Sequence, residues 1–328
     1  MNRDRRSGNK IETCLLLALV VTVMFFAQEK SSAGGRKEAS MNAGTEDRSN
    51  AQAAGPVYLN HFFIVLDSQT YKEIKESQFL QEEFAAFEER TTVRADITYT
   101  GIYFYGTHTY FEFFQPGEYN RSEGSCGIAS GVETPGASDR LKQRLESYTG
   151  APVVKNPVSR RVNEKEVPWF YMTVVNHKNR PAKLSTWLME YDNNFLSNWY
   201  PELSPKSRGI TRKEILERYT AKLGDNEKRA GKYLEDVFEM TLALDETERA
   251  GFIKEREAFG YKITSDQSKT VVEGPAIKYT LIASTTSSNS AVSFKMSLKR
   301  DKNGQKVYRF GSRSVLRFND DRTATWSF

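Results

Sequence analysis

Residues 103–114 read YFYGTHTYFEFF, and this stretch decides the class of fold. Aromatic residues dominate both arms, while Gly106 and Thr107 between them suit a tight turn. The pattern predicts a hairpin with strands over 97–105 and 108–114, and Pro116-Gly117 ends the second strand. Strand side chains alternate, so His108, Tyr110, Glu112 and Phe114 share one face, while Thr109, Phe111 and Phe113 share the other. The second face is expected to pack on helices. The first is joined by Tyr99, Tyr103 and Tyr105 across the hairpin where the adjacent strand pairs in the matching sense. Rings with polar tips on a concave surface bind small apolar or aromatic molecules, which makes Tyr103, Tyr105, Tyr110 and Glu112 candidate ligand-binding residues. A carboxylate between Phe111 and Phe113 is costly unless it meets a wet cavity or a partner, and His108 is the candidate partner.

Working outward, residues 57–66 form a β-rich run, and a helix is expected over 70–90, with Thr70 and Glu73 spaced as a capping box. The order strand, helix, strand, strand then recurs. A short strand over 127–132 is followed by a helix from Ser138 to Tyr148 and by strands over 153–162, 169–176 and 186–191. Thr211 and Glu214 open a linking helix that stops at Gly224. Beyond it come a strand over 238–244, a helix over 245–259 capped by Asp245, and strands over 277–283, 292–298, 307–309 and 315–318. Leu66-Asp67 and Leu244-Asp245 both close a strand and open a helix. The class is therefore α+β, built from related units: a paired domain over 57–200, a linking helix over 201–224, and a divergent α+β module over 225–328.

The amino terminus has a different composition. Arg3, Arg5, Arg6 and Lys10 precede an apolar run over 14–27, which is the layout of a signal peptide. The run is shorter than the roughly 20 apolar residues that span a bilayer core, so cleavage after Ala33, or after Ala27, is favoured over anchoring. The protein is expected to be exported, with membrane attachment through an uncleaved leader as the alternative; residues 34–56 read as a disordered spacer. The formal net charge is +5 with both signs interspersed, so nothing points to nucleic acid as a partner. Once Cys14 leaves with the leader, Cys126 has no second thiol to pair with.

The strings LNHFFIVLD (59–67), YFYGTHTYFEFF (103–114) and YRFGSRSVLRF (308–318) resemble a glyoxalase-like family of unknown function. More broadly, 59–116 and 127–191 look like two βαβββ modules of the vicinal oxygen chelate superfamily, the glyoxalase, bleomycin-resistance and dioxygenase group. The resemblance implies a curved sheet around a cavity, with a divalent metal held by a His on the first strand and carboxylates on the closing strands. His61, Glu112 and Glu190, the last in the string WLMEY, match those positions, and His108 is a further candidate. The strand over 127–132 offers only small residues where a fourth ligand belongs, so the set is incomplete. Iron, manganese or zinc are the ions that such donors hold.

No Gly-rich phosphate loop, paired-Cys motif or nucleophile elbow is present. Three classes of function remain. One is a module that binds a small molecule in a tyrosine-lined cavity. The second is a metal-dependent lyase, isomerase or dioxygenase, and the third is an interaction protein of the cell envelope.

Overall fold

The hairpin expected from residues 103–114 sits inside a much larger sheet. The structure, a computed structural model, describes residues 55–162, 164–176, 183–195, 209–223, 231–284 and 290–328. The leader over 1–33, nearly all of the spacer, His177 and residues 201–208 of the expected linking segment lie outside the described residues.

Strands β1 (Tyr58–Val65), β2 (Ala86–Val93), β3 (Thr98–Tyr105), β4 (Tyr110–Phe114), β5 (Cys126–Val132), β6 (Val153–Val162), β7 (Lys165–Val175) and β8 (Leu184–Tyr191) form the first sheet, in the order β2-β3-β4-β1-β5-β8-β7-β6. β1 runs parallel to β4 and β5 parallel to β8, while β1 and β5 meet antiparallel at the centre. Helix α1 (Ser68–Glu76) carries the chain from β1 to β2, and α2 (Ala137–Thr149) carries it from β5 to β6. An isolated antiparallel bridge between Arg94, just past β2, and Arg160 on β6 joins the two outer strands. The sheet therefore curls round its concave face.

The carboxy-terminal strands β9 (Leu234–Leu244), β10 (Lys262–Ser265), β11 (Thr270–Gly274), β12 (Ile277–Ala283), β13 (Ala291–Leu298), β14 (Val307–Phe310), β15 (Ser314–Phe318) and β16 (Thr323–Ser327) form a second sheet. Its order, β10-β11-β12-β9-β13-β16-β15-β14, repeats that of the first. Helix α4 (Glu246–Ala258) returns the chain from β9, so that β12 lies parallel to β9. No helix stands between β13 and β14 among the described residues, and β16 runs antiparallel to β13. Without a helix to carry the chain back, the three strands after β13 are laid down in the reverse sense. The chain is thus mixed α+β and dominated by sheet.

The two sheets share one core. Phe62, Ile64, Phe104, Phe111 and Phe113 of the first sheet cluster with Met240, Leu242, Phe294, Met296 and Trp326 of the second. Trp326, fully buried, meets the rings of Phe111 and Phe113 at centroid distances of 5.8 and 5.1 Å, and its indole N–H donates to Ser314 Oγ at 2.9 Å. Helix α3 (Arg212–Ala221), opened by the Thr211–Glu214 capping box, packs Ile215, Leu216 and Tyr219 into a separate cluster with Tyr103, Tyr105 and Trp169.

Two local expectations are corrected. The helix expected over 70–90 ends at Glu76; a π-helical turn at Leu80–Phe84 follows, and 86–93 is strand. The approximate apolar spacing across 79–87 marks a turn leading into β2 rather than one continuing helix. Its cap is Asp67, whose carboxylate accepts from Thr70 N at 2.9 Å, one turn earlier than the Thr70 reading. Likewise α2 starts at Ala137 after Gly136 in the left-handed region, and Ser138 lies inside its first turn.

Candidate functional site

The concave face of the first sheet encloses a cavity of about 700 Å³. Its floor comes from the central strands: His61 and Phe63 on β1, Tyr110 and Glu112 on β4, and Trp187 and Met189 on β8. Trp169, Phe170 and Met172 of β7 form the wall opposite Tyr99 and Tyr119. Arg94 and Asp96 lie at the β2 side, joined by two hydrogen bonds of 2.8 and 2.7 Å.

His61 and Glu112 are the polar centre. Both are buried, at 7% and 6% of their full exposure, and His61 Nε2 stands 3.7 Å from Glu112 Oε1. The His61 Nδ1–H donates to Asn60 Oδ1 at 2.8 Å, which leaves the Nε2 lone pair directed at the carboxyl group. The imidazole also stacks on Tyr110, with centroids 4.5 Å apart. Burial, together with the nearby positive charge of Arg90, holds the His61 pKa down to about 3. Burial pushes Glu112 up to about 8, although Arg90 and the Tyr103 and Tyr110 hydroxyls act in the opposite direction. At neutral pH the imidazole is uncharged and the carboxyl group is predominantly protonated, so each can hydrogen-bond a ligand without an ion being buried.

The loop after β4 closes one side. Tyr119 and Asn120 have φ of 56° and 53°, a left-handed conformation that a bulky residue rarely adopts. Tyr119 is held there by stacking on Phe63, with centroids 5.7 Å apart, and by close packing on Tyr99, while Glu118 accepts from Thr100 N at 2.9 Å.

The structure brings together only part of the set expected from the sequence. Tyr110 and Glu112 line the cavity; Tyr103 and Tyr105 share their face but lie outside its wall, packed against α3. Tyr103 is covered by the Arg90 guanidinium, 4.0 Å from its ring centre, and Tyr105 donates to Glu88 at 2.7 Å. Glu190 points to the opposite face of β8, because Trp187 and Met189 take the cavity side of the alternation. There its carboxylate accepts from Gly136 N at 2.6 Å, Ser138 N at 2.9 Å and Ser138 Oγ at 2.7 Å, at the start of α2. It caps a helix. His108 also lies elsewhere: half-exposed at the β3–β4 turn, its Nδ1 is 2.8 Å from Asp236 Oδ2, and its backbone N–H donates to the same carboxylate.

These residues do not fit the metal centre that the resemblance implies. His61 and Glu112 are two donors, and no group of three or more His, Cys, Asp or Glu placed to hold an ion exists among the described residues. On β5 the residue paired with His61 is Ala129, which has no donor atom, and at Gly127, paired with Phe63, a Cβ would stand 2.1 Å from the Phe63 ring, so Phe63 fills the space that a ligand there would need. Trp187 and Met189 put apolar surface where the second carboxylate was expected. Phe63, Trp187 and Tyr119 are the lining residues that sequence reasoning missed. For Trp187 a signal existed: in WLMEY only one parity can face the cavity, and the tryptophan competes with the glutamate for it.

A profile described as a family of unknown function, DUF5829, matches residues 59–328. The chain belongs to that family. No curated protein matches it. Among solved structures, a hypothetical protein from Staphylococcus aureus is 9% identical with a TM-score of 0.47, covering 77% of this chain and 94% of its own. A xylose isomerase-like TIM barrel/4-hydroxyphenylpyruvate dioxygenase fusion protein is 11% identical with a TM-score of 0.38, covering 76% of this chain and 37% of its own. Likeness at this level carries no chemistry to the present site, so its function is argued from the side chains alone.

Proposed function

We propose that the protein binds a small, flat, uncharged molecule in the cavity of the first sheet, without a metal. The observation that carries this is the 3.7 Å gap between His61 Nε2 and Glu112 Oε1, buried in a cavity walled by aromatic and aliphatic side chains. The gap is too wide for a direct hydrogen bond and suits one bridging hydroxyl, at about 2.8 Å from each atom. Such a hydroxyl donates to the imidazole lone pair and accepts from the protonated carboxyl group. Phe63, Tyr119 and Trp187 supply flat apolar surface around it, which favours a phenol over an aliphatic alcohol.

The test is a titration with 4-hydroxyacetophenone followed by tryptophan fluorescence, since Trp169 and Trp187 both line the cavity. Saturable quenching is expected in the native protein, and none in Ser185→Trp, which fills the cavity from a half-exposed position on β8. Quenching that survives Ser185→Trp contradicts the proposal.

Two further readings belong to the same proposal. The sheets derive from βαβββ units of the vicinal oxygen chelate kind; the repeated strand order, the parallel first and last strands in three of the four units, and the shared Leu-Asp step before α1 and α4 support this. The protein acts after export through its basic and apolar leader, and amino-terminal sequencing of the mature chain decides that. A chain beginning at Met1 in the membrane fraction favours anchoring instead.

A further inference from the structure

Outside the cavity, the feature that calls most for an explanation is a concentration of positive charge between β2, β6 and the end of α3. A pocket of about 240 Å³ there is lined by Arg90, Arg160, Arg161, Tyr219 and Lys222, with Glu88 as its carboxylate among the described residues. Glu88 is already engaged, accepting from the Tyr105 hydroxyl at 2.7 Å and from Arg90 Nη1 at 3.2 Å.

Aromatic rings flank both buried guanidinium groups. Arg160, buried at 8% exposure, has its guanidinium 5.0 Å from the centre of the Trp169 ring, 4.7 Å from Phe195 and 5.6 Å from Tyr219. Arg90 lies over Tyr103 and uses its Nε–H on Thr92 Oγ1 at 3.3 Å. Aromatic faces orient a guanidinium and offset part of its desolvation. The electrostatics at the rim agree with the geometry. The Lys222 ammonium is held below its ordinary pKa first by burial and then by Arg160 and Arg90, with Glu88 acting in the opposite direction.

We propose that this pocket binds a small organic oxyanion, a carboxylate or a phosphate ester, between the ring-held guanidinium groups of Arg90 and Arg160, with Arg161 and Lys222 closing on it from the rim. Guanidinium groups present paired N–H donors that match the two oxygens of a carboxylate or phosphate, and rings that fix them in advance lower the cost of binding. The pocket is larger than a bare phosphate requires, and Val162 and Tyr219 offer wall for an organic substituent. This site stands apart from the cavity reading and does not depend on it.

Calorimetric titration of the full chain with inorganic phosphate and with citrate, at constant ionic strength and with chloride as reference, tests the proposal. Saturable binding of either oxyanion is expected; preference for phosphate points to phosphate esters, and preference for citrate to carboxylates. Lys222→Gln and Arg161→Gln change exposed side chains, and each should weaken that binding by about five- to tenfold. Arg313→Gln, whose partner is the surface residue Glu123, should leave it unchanged. The proposal is overturned if neither oxyanion binds more tightly than chloride, or if the Lys222→Gln, Arg161→Gln double variant binds as tightly as the native protein.

Discussion

The two sheets have the same strand order and carry different chemistry at matching positions. Counting back from the capping aspartates Asp67 and Asp245 places Glu239 where His61 stands, and the registers agree: His61 pairs with Tyr110 and Glu239 with Lys278. In the first sheet this position holds a buried neutral imidazole beside a buried carboxyl group. In the second, Glu239 is met by Lys278 at 2.7 Å and Lys295 at 3.4 Å, both cations partly exposed. Burial acts to raise the Glu239 pKa, but hydrogen bonds and charge from the two lysines outweigh it and hold it low. Where Phe63 and Glu112 face each other in the first sheet, Thr241 and Thr280 do so in the second. Strand order therefore does not make a site. Bulky rings that exclude water around two polar groups do, and at these matching positions the first sheet has them where the second has lysines and threonines.

The largest expected effect tests what the sheets have in common. Trp326→Ala removes a fully buried ring from the shared core and should destabilise the protein by about 3–5 kcal/mol. Denaturant unfolding followed by tryptophan fluorescence and by far-ultraviolet dichroism should still show one coincident transition. Two separated transitions would mean that the sheets fold independently.

The next prediction sharpens the difference between the faces. Glu112 binds its proton more tightly folded than unfolded, so its contribution is full below its ordinary pKa of 4.5 and is lost as pH rises through about 8. His61 runs the other way: its neutral form contributes above its ordinary 6.5, and this is lost as pH falls through about 3. Glu112→Gln keeps the shape without the ionisation, so it should gain a few kcal/mol relative to the native protein between about pH 5 and pH 9. Thermal melting at the two pH values reads this directly. A constant difference would place the Glu112 carboxyl group in a solvated environment.

Glu190→Gln should cost about 1–2 kcal/mol through the lost helix cap, and should do so equally in chelator and in manganese. Destabilisation seen only with metal present would return Glu190 to the cavity. Glu239→Gln, at the matching position of the second sheet, should cost less than about 1 kcal/mol and respond to salt, as expected for partly exposed ion pairs. Urea titrations with and without added sodium chloride check it.

How much of this was legible in the sequence follows from what alternation does and does not fix. The pattern of residues 110–114 put Phe111 and Phe113 on one face and Tyr110 and Glu112 on the other, facing the cavity, and the structure keeps that division, but Phe111 and Phe113 pack on Phe294 and Trp326 of the second sheet and not on helices as expected. The same rule could not say which parity of 187–191 faces inward, because both sides of β8 carry large residues, and the resemblance favoured Glu190. That choice depends on the parallel register between β5 and β8, a long-range pairing that no local pattern contains. The helix caps at Thr211 and Asp245 were readable because the acceptor and the N–H it satisfies lie within three residues of each other. Strands β2, β10, β11 and β16 went unrecognised; β10, β11 and β16 are short, and the apolar spacing that leads into β2 mimics a helix. His108 looked like a cavity residue from its parity on the hairpin, but the turn it occupies is held by Asp236 from the other sheet.

The central claim is that the cavity of the first sheet takes its ligand without an ion. The most direct measurement is the affinity for 4-hydroxyacetophenone before and after exhaustive dialysis against EDTA, with manganese then added back. The predicted result is one affinity throughout, lowered in His61→Leu, which removes the acceptor. Loss of binding on chelation and its recovery with manganese would contradict the account and put a metal between His61 and Glu112.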